Sequence, residues 1–458
     1  MAELTSIILA AGQGSRMKSK YPKVLHQILG RPMLQYVIDA ANEADSAQVL
    51  VVVGFEGQQV IDAIGQDIQY IWQTEQRGTG HAVMMAEDVL KGISGDLLVL
   101  YGDTPLLKAD TLKQLVRTKR ESKAAAAVLT TELANPSGYG RILRNDAGNI
   151  IGIIEDKDAS AVEKAINEVN TGVYCFEISI LLQTLKKITP HNAQGEYYLT
   201  DVIKILAEEG SKIAGLITNE ADEVMGPNDR IQLAGTENYL KTAINQKWMK
   251  AAVSIVDPSF TYIGPEVEIG RDTIIHPGTF LSGKTKVGEN CSIGPHTKII
   301  DSTIGSDSSI QFSLISGAQI GEANNIGPYA YIRPGTVSDE KVKFGDFVEV
   351  KNCRIAKGSK VPHLTYLGDT EVGAGVNIGA GTITCNYDGI KKHKTVIKDG
   401  AFIGSNANLV APVVIGERAT VGAGSTITKE VPDKALAIAR SKQEVLTNWV
   451  SPRERAKK

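Results

Sequence analysis

The chain has 458 residues, 42% of them hydrophobic and 22% charged, with a formal net charge of −3. That length exceeds one ordinary core and fits two or three domains, and the balanced charge gives no basic excess of the kind that marks nucleic-acid binding. Cys175, Cys291, Cys353 and Cys385 never fall at CxxC spacing, which excludes a zinc knuckle or a dithiol motif, and so few thiols fit a reducing cytosol.

The start of the chain has no basic leader, and its first apolar run, Ile7–Ala11, is too short for a signal core or a membrane span. A soluble intracellular protein is therefore expected. Ser6–Ala10 predicts a buried strand, followed by the loop Ala-Gly-Gln-Gly-Ser-Arg-Met, residues 11–17, and a helix-like segment. Strand, glycine loop and helix offer backbone N–H groups to phosphate. The loop lacks the Lys-Ser/Thr of a Walker A motif, and Met17 stands where a dinucleotide fingerprint has its third glycine. Arg16 and Lys23 add charge to neutralise a polyphosphate. Strands at Val49–Gly54 and Asp96–Tyr101 and a helix at Gln58–Ile64 continue the alternation, which predicts an α/β sheet of mostly parallel strands with ligands at their carboxyl ends. Asp103 stands at such an end, either as a magnesium ligand or as a turn cap. Two further glycine-rich polar loops follow, Gln73–Gly80 and Gly138–Arg141, with Glu155, Asn170 and Asn228 in turn-like settings. From Ile231 to Trp248 the spacing becomes helical, with Asn228 or Asp229 as N-cap, and predicts a linker helix.

The second half is of another kind. Of 45 glycines, 24 lie between Gly264 and Gly424. Aliphatic residues recur at Ile263, Ile269, Ile275, Leu281, Val287, Ile293 and Ile299, at steps of six, slip by one in places, and resume from Ile397 to Ile427. Period six fits neither a helix nor an alternating strand. It fits a prism of short strands and turns, one aliphatic per face pointing to the axis, with coils stacked as a hexapeptide-repeat parallel β-helix. The phase loosens between Ile332 and Val372, a segment holding Arg333, Glu349, Lys351, His363 and Tyr366. An insertion between Ile378 and Ile397 carries Asn386, Tyr387, Lys391 and Lys392. Loops extruded from a rigid scaffold commonly carry function. His276 and His296 are expected to be structural. The tail Ser451–Lys458, with Arg453, Arg455, Lys457 and Lys458, is expected to be a solvated end.

Leu9-Ala-Ala-Gly-Gln-Gly-Ser-Arg16 with Lys23 resembles the signature of sugar-nucleotide pyrophosphorylases. With Gln-Gly-Glu-Tyr-Tyr-Leu-Thr-Asp201, the hexapeptide prism and His363-Leu-Thr-Tyr-Leu-Gly-Asp369, residues 4–450 resemble the bifunctional N-acetylglucosamine-1-phosphate uridyltransferase / glucosamine-1-phosphate N-acetyltransferase family. The resemblance implies an α/β nucleotidyltransferase domain over residues 1–228, a linker helix over 229–250, and a left-handed β-helix acetyltransferase domain with its tail over 251–458. It implies two reactions, acetylation of glucosamine 1-phosphate by acetyl-CoA and then uridyl transfer from UTP, with Mg²⁺. It implies uracil and ribose contacts at Leu9, Ala10, Gly12, Gln73, Gly78 and Thr79, and a phosphate-binding pair in Arg16 and Lys23. Asp103 and Asn228 match the Mg²⁺ ligands, and Gly140, Glu155 and Asn170 the N-acetylglucosamine contacts.

In the second domain, Arg333, Lys351, Tyr366, Asn377 and Lys392 match sugar-phosphate binders and His363 the general base, with Glu349 expected to orient its ring. Ala380, Asn386, Tyr387, Ser405, Ala423 and Arg440 match acetyl-CoA contacts. The partners implied are small molecules and two further copies of the chain in a cytoplasmic homotrimer, with no nucleic acid and no membrane. A prism serving only as scaffold is opposed by His363 and the Asn386–Lys392 insertion. A γ-type carbonic anhydrase would need grouped zinc histidines, whereas His276, His296, His363 and His393 stand far apart in the chain.

Overall fold

The computed structural model describes residues 3–456, so Lys457 and Lys458 of the basic tail lie outside the described residues. Two compact units divide at Leu240 and Lys241. Among the described residues no helix is long and apolar enough to cross a membrane.

The first unit is built on a sheet of nine strands. In chain order its main elements are β1 (Leu4–Leu9), α1 (Met33–Glu43), β2 (Gln48–Val53), α2 (Gly57–Ile64), β3 (Gln69–Trp72), α3 (Thr79–Met84), β4 (Asp96–Tyr101) and α4 (Ala109–Ser122). There follow β5 (Ala126–Glu132), β6 (Arg141–Arg144), β7 (Ile150–Ile154), β8 (Glu168–Glu177), α5 (Ile178–Leu185), α6 (Thr200–Glu208), β9 (Ile213–Thr218) and α7 (Arg230–Lys250). The spatial order is β9-β5-β8-β4-β1-β2-β3, with the β6–β7 hairpin attached to β8. β1 pairs in parallel with both β2 and β4. All six residues of β1 are buried, as a strand covered on both faces requires. Met33, Leu34, Val37, Ile38 and Ala41 give α1 one apolar stripe against a face of the sheet.

The sheet is mostly parallel as expected, with β8 alone on the main path running antiparallel, between β4 and β5. One expectation is corrected. The segment after the glycine loop is a single 3-10 turn, Ser15–Met17, entered and left through left-handed backbone at Gly14 and Lys18. Such geometry ends a helix as soon as it starts. The cap of α7 is Asp229, whose Oδ1 accepts the Ile231 and Gln232 N–H groups, both at 2.9 Å.

The second unit is a three-sided prism of parallel sheets with 11, 10 and 9 strands. Its ladders are the sequence period made physical. Ile263, Leu281, Ile299, Ile315, Ile332, Val350 and Leu367 stand in register on one face, each one coil from the next. All are buried along the axis, and each such side chain stabilises by roughly 1.5–3 kcal/mol. The slips occur at the corners and leave the ladders in register. The apparent break from Ile332 to Val372 is no break: the coils continue, with Phe344 and Ser338 taking aliphatic positions. A repeat read only by aliphatic identity loses phase there although the backbone does not. His276 bonds Ser292 at 3.1 Å, and His296 packs between Phe260 and Phe312, so both are structural as expected. Trp248 and Ile244 of α7 pack against the prism core.

Candidate active sites

In the first unit β1 is the strand from which the order diverges, to β2 on one side and β4 on the other. In such sheets the carboxyl ends at the point of divergence form a crevice. A cavity of about 360 Å³ lies there. Of the expected residues, Leu9, Ala10, Gly12, Arg16, Lys23, Gln73, Gly78, Thr79, Asp103 and Asn228 all line it. Gly14 turns the loop at φ +62°, and an added Cβ would stand 2.5 Å from the Lys23 Cβ. Glycine there lets the loop lie against the stem of Lys23.

The charged groups at the mouth are already assembled. Lys23 Nζ donates to Asp103 Oδ2 at 2.5 Å and to Asn228 Oδ1 at 2.9 Å. Arg16 donates to the same Asn228 oxygen at 2.9 Å. Two hard oxygens thus converge on one positive charge, and that donor set suits Mg²⁺, which retains water and phosphate oxygens in its other positions. Among the described residues no group of three or more His, Cys, Asp or Glu could hold a metal. Asp103 and Asn228 thus present two protein oxygens at the mouth of the cavity.

Gly140, Glu155 and Asn170 come together beside this cavity. Asn170 N–H donates to Gly140 O at 2.8 Å. A Cβ on Gly140 would meet Glu155 Oε2 at 3.4 Å and the Asn170 Cβ at 3.6 Å. Burial holds the Glu155 carboxyl above its usual range despite a bond from Thr200 Oγ. Sequence reasoning missed three polar side chains of the cavity wall, Gln76, Tyr101 and Glu196. Gln76 Nε2 ties its loop to Ala11 O at 2.9 Å, and its place inside the Gln73–Gly80 loop was the available signal. Tyr101 is hydrogen-bonded to Thr79, and burial and the Glu155 charge press its hydroxyl toward the neutral form.

In the second unit the expected residues fall along two corners of the prism that border one sheet. At the first, His363 is followed by Ala380, Ser405 and Ala423, each one coil on, and Arg440 lies on the coil after that, one position past the register partner of Ala423. Asn406 N–H donates to Ala380 O at 2.7 Å and Gly424 N–H to Ser405 O at 2.8 Å. The coils stack too closely for side chains: a Cβ on Gly379 would lie 2.5 Å from Ser405 N, and one on Gly404 2.5 Å from Ala423 N. Asn377 lies on the sheet behind this column, paired with Lys360 and Phe402.

His363 Nδ1 is 2.5 Å from Asp346 Oδ1. This corrects the expectation for Glu349, which instead accepts from Arg333 Nη1 at 2.6 Å. The register explains it: Asp346 and His363 are direct partners in adjacent coils. One coil length counted back from His363 was the signal that could have found Asp346.

At the second corner Arg333, Lys351 and Lys392 form a basic cluster. The Lys392 ammonium, with Arg333 behind it, holds the Lys351 amine below its usual range. Like charges gathered without enough anions are an anion site. Asn386 Nδ2 donates to Asp369 Oδ2 at 2.5 Å. The Tyr366 hydroxyl and the Asn386 amide close over Gly368, where a Cβ would meet them at 2.5 and 2.6 Å. The insertion is braced by Asp388, whose carboxylate accepts from the Ile390 and Lys391 N–H groups and His393 Nε2. It leaves Tyr387 and Ile390 exposed at 61% and 90%.

Family comparisons follow this division. The nucleotidyl transferase model matches residues 5–249, the GMPPB C-terminal domain model residues 261–366, and the bacterial transferase hexapeptide model, as six repeats, residues 394–429. With the register of the three sheets, the last match identifies the prism as the left-handed parallel β-helix of hexapeptide repeats. Proteins called "Bifunctional protein GlmU" are similar over their full length. That of Caldanaerobacter subterraneus subsp. tengcongensis is 52% identical over 453 residues, 99% of each chain. That of Heliobacterium modesticaldum is 50% identical over 450 residues, 98% of each, and that of Geobacillus thermodenitrificans 49% over 458, 100% of each. With one nucleotidyl transferase unit, one hexapeptide unit and half of all positions shared along the whole chain, the protein belongs to the bifunctional GlmU family.

Proposed function

We propose that the chain makes UDP-N-acetylglucosamine by two transfers, each in its own unit. The prism, residues 251–458, acetylates the amine of glucosamine 1-phosphate from acetyl-CoA. The α/β domain, residues 1–228, then transfers a uridyl group from UTP to the resulting N-acetylglucosamine 1-phosphate and releases pyrophosphate; residues 229–250 link the two. The observation that carries this reading is the pairing of two separate constellations in one chain: Lys23, Asp103 and Asn228 in the cleft, and His363 on Asp346 beside a basic cluster.

In uridyl transfer a phosphate oxygen of the sugar attacks the α-phosphorus of UTP and the bond to the β,γ-pyrophosphate breaks. Such transfers depend on positioning and charge neutralisation. Leu9, Ala10, Gly12, Gln73, Gly78 and Thr79 seat the uridine, while Gly140, Glu155 and Asn170 take the N-acetylglucosamine. Arg16 and Lys23 turn from Asn228 and Asp103 to the phosphates. The freed oxygens of Asp103 and Asn228 would hold Mg²⁺, which would supply charge neutralisation there.

In acetyl transfer the sugar amine attacks the thioester carbon, the C–N bond forms, and the C–S bond breaks to release CoA. Asp346 on Nδ1 keeps the proton there, leaving Nε2 of His363 to take a proton from the neutral sugar amine as it attacks and to return it to the departing CoA thiolate. Arg333, Lys351 and Lys392 receive the sugar phosphate, with Tyr366 and Asn377 around the ring. Ala380, Ser405, Ala423 and Arg440 form a groove for acetyl-CoA along their corner, and the Ser405 region offers N–H groups to the oxyanion.

The exposed Tyr387 and Ile390 stand on an insertion at the corner away from the chain's own His363. This supports a homotrimer in which Asn386, Tyr387 and Lys392 of one copy complete the His363 column of the next. Purified protein should release CoA from acetyl-CoA with glucosamine 1-phosphate, and pyrophosphate from UTP with N-acetylglucosamine 1-phosphate. Absence of either release above background refutes that half of the reading.

A further inference from the structure

His81 does not line the nucleotide cavity and touches it through one side chain. It stands on α3, where its ring borders a separate pocket of about 390 Å³ with Met84, Leu185 and Ile188. No step of either transfer employs it. Its Nδ1, however, is 3.1 Å from Nε2 of Gln73, a buried residue of the cavity wall.

The two contacts of the Gln73 amide nitrogen fix its orientation. Nε2 donates to Gly78 O at 3.1 Å, and a carbonyl oxygen can only accept, so the nitrogen end of the amide is the end that faces Gly78. One proton remains on Nε2 for His81, whose Nδ1 must then be the bare, accepting nitrogen of the ring. Burial and the Arg77 guanidinium hold the ring below its usual range, outweighing the Glu75 charge and the bond to its backbone carbonyl. A neutral ring with an accepting Nδ1 carries its proton on Nε2.

The Gln73 oxygen is in the opposite position. Among the described residues no group donates to Oε1, and it is not one of the sealed oxygens left without a partner. With both amide protons engaged, Gln73 offers a ligand an acceptor and no donor. Turning the amide over would set Oε1 against two acceptors, Gly78 O and His81 Nδ1. Without His81 only Gly78 O would oppose the turn.

That polarity distinguishes pyrimidines. Uracil carries a proton on N3, whereas cytosine carries a lone pair there. An acceptor held in place pairs with the first and opposes the second, and a site built for one hydrogen-bond sense rejects the other.

We propose that His81 is a positioning residue, holding the Gln73 amide with its oxygen available to the base and so setting a preference for uracil over cytosine. This assignment rests on the reading of the cleft as the UTP site.

Pyrophosphate release by the full-length protein from UTP and from CTP, each with N-acetylglucosamine 1-phosphate, gives kcat/KM for both nucleotides. His81→Phe keeps a ring beside Tyr197 but removes the acceptor, and should lower the UTP:CTP ratio about fivefold or more. His81→Asn removes the ring but keeps an oxygen where Nδ1 stood, and should hold the ratio within about twofold of the wild type. In a Gln73→Met background His81→Phe should leave the ratio unmoved, because the group it positions is gone. A role in packing alone would lower both nucleotides together. An unchanged ratio in His81→Phe, a ratio as low in His81→Asn as in His81→Phe, or a further fall in the double variant would each overturn the proposal. Wild-type protein that releases no pyrophosphate from UTP would instead refute the reading of the cleft, and the assignment with it.

Discussion

Lys23 Nζ rests 2.5 Å from Asp103 Oδ2, across 80 positions of sequence. The contact joins the lysine after the glycine loop to the acid that follows β4, and it puts an ammonium where the proposed uridyl transfer would place a divalent cation. Lys23→Met should therefore have two opposite effects. Pyrophosphate release should fall by about 10²-fold or more, the scale of losing one preorganised charge. Binding of Mn²⁺ without nucleotide, read by electron paramagnetic resonance, should strengthen because the oxygens of Asp103 and Asn228 no longer hold the lysine.

The contacts of His363 and Glu349 divide their roles. Asp346→Asn should lower kcat for CoA release by about 10²-fold, since the ring loses its fixed tautomer while substrate contacts persist. Glu349→Gln should instead act through Arg333, raising KM for glucosamine 1-phosphate more than it lowers kcat. Steady-state kinetics on both variants separates these outcomes.

The acid side of the pH range should be felt first in the insertion. Asp388 is held at about 2 by the N–H groups of Lys391 and Ile390 and by His393. A carboxylate depressed in the folded state stabilises fully above its unfolded value, about 3.9, and loses that contribution as pH falls through the folded one. Exchange protection of the peptide 386–393, measured by mass spectrometry and corrected for intrinsic rates, should hold down to about pH 4 and fall toward pH 2. Asp388→Asn should lack this transition.

The axial ladder sets the stability of the prism. Ile332 is fully buried, with Ile315 and Val350 as its register partners. Ile332→Ala should destabilise by about 2–5 kcal/mol in denaturant unfolding, because the neighbouring coils are too constrained to collapse into the space. A change at exposed Lys298 should move stability by less than about 0.5 kcal/mol.

Legibility differed between the two units for a physical reason. In the prism each face needs one apolar residue every sixth position, so the fold is written as a period and Ile263 to Ile299 display it. It fails where Ser338 and Phe344 keep the geometry without the expected residue type. In the α/β unit the strands of the switch point were legible as apolar runs. The antiparallel entry of β8 was not, because strand direction depends on which neighbour pairs with it. The cleft residues clustered in glycine loops and were legible, whereas Asp346 is a side chain whose meaning comes from the coil above it. Glu349 was the nearer acid in sequence and the wrong one in space.

The two transfers occur at separate sites if Asp103→Ala and His363→Ala each remove only one of them when CoA release and pyrophosphate release are measured on the same preparations. Asp103→Ala should abolish UTP-dependent pyrophosphate release and leave CoA release at the wild-type rate; His363→Ala should do the reverse. Loss of both activities in either variant, with unfolding transitions matching the wild type, would mean that the two transfers share a site.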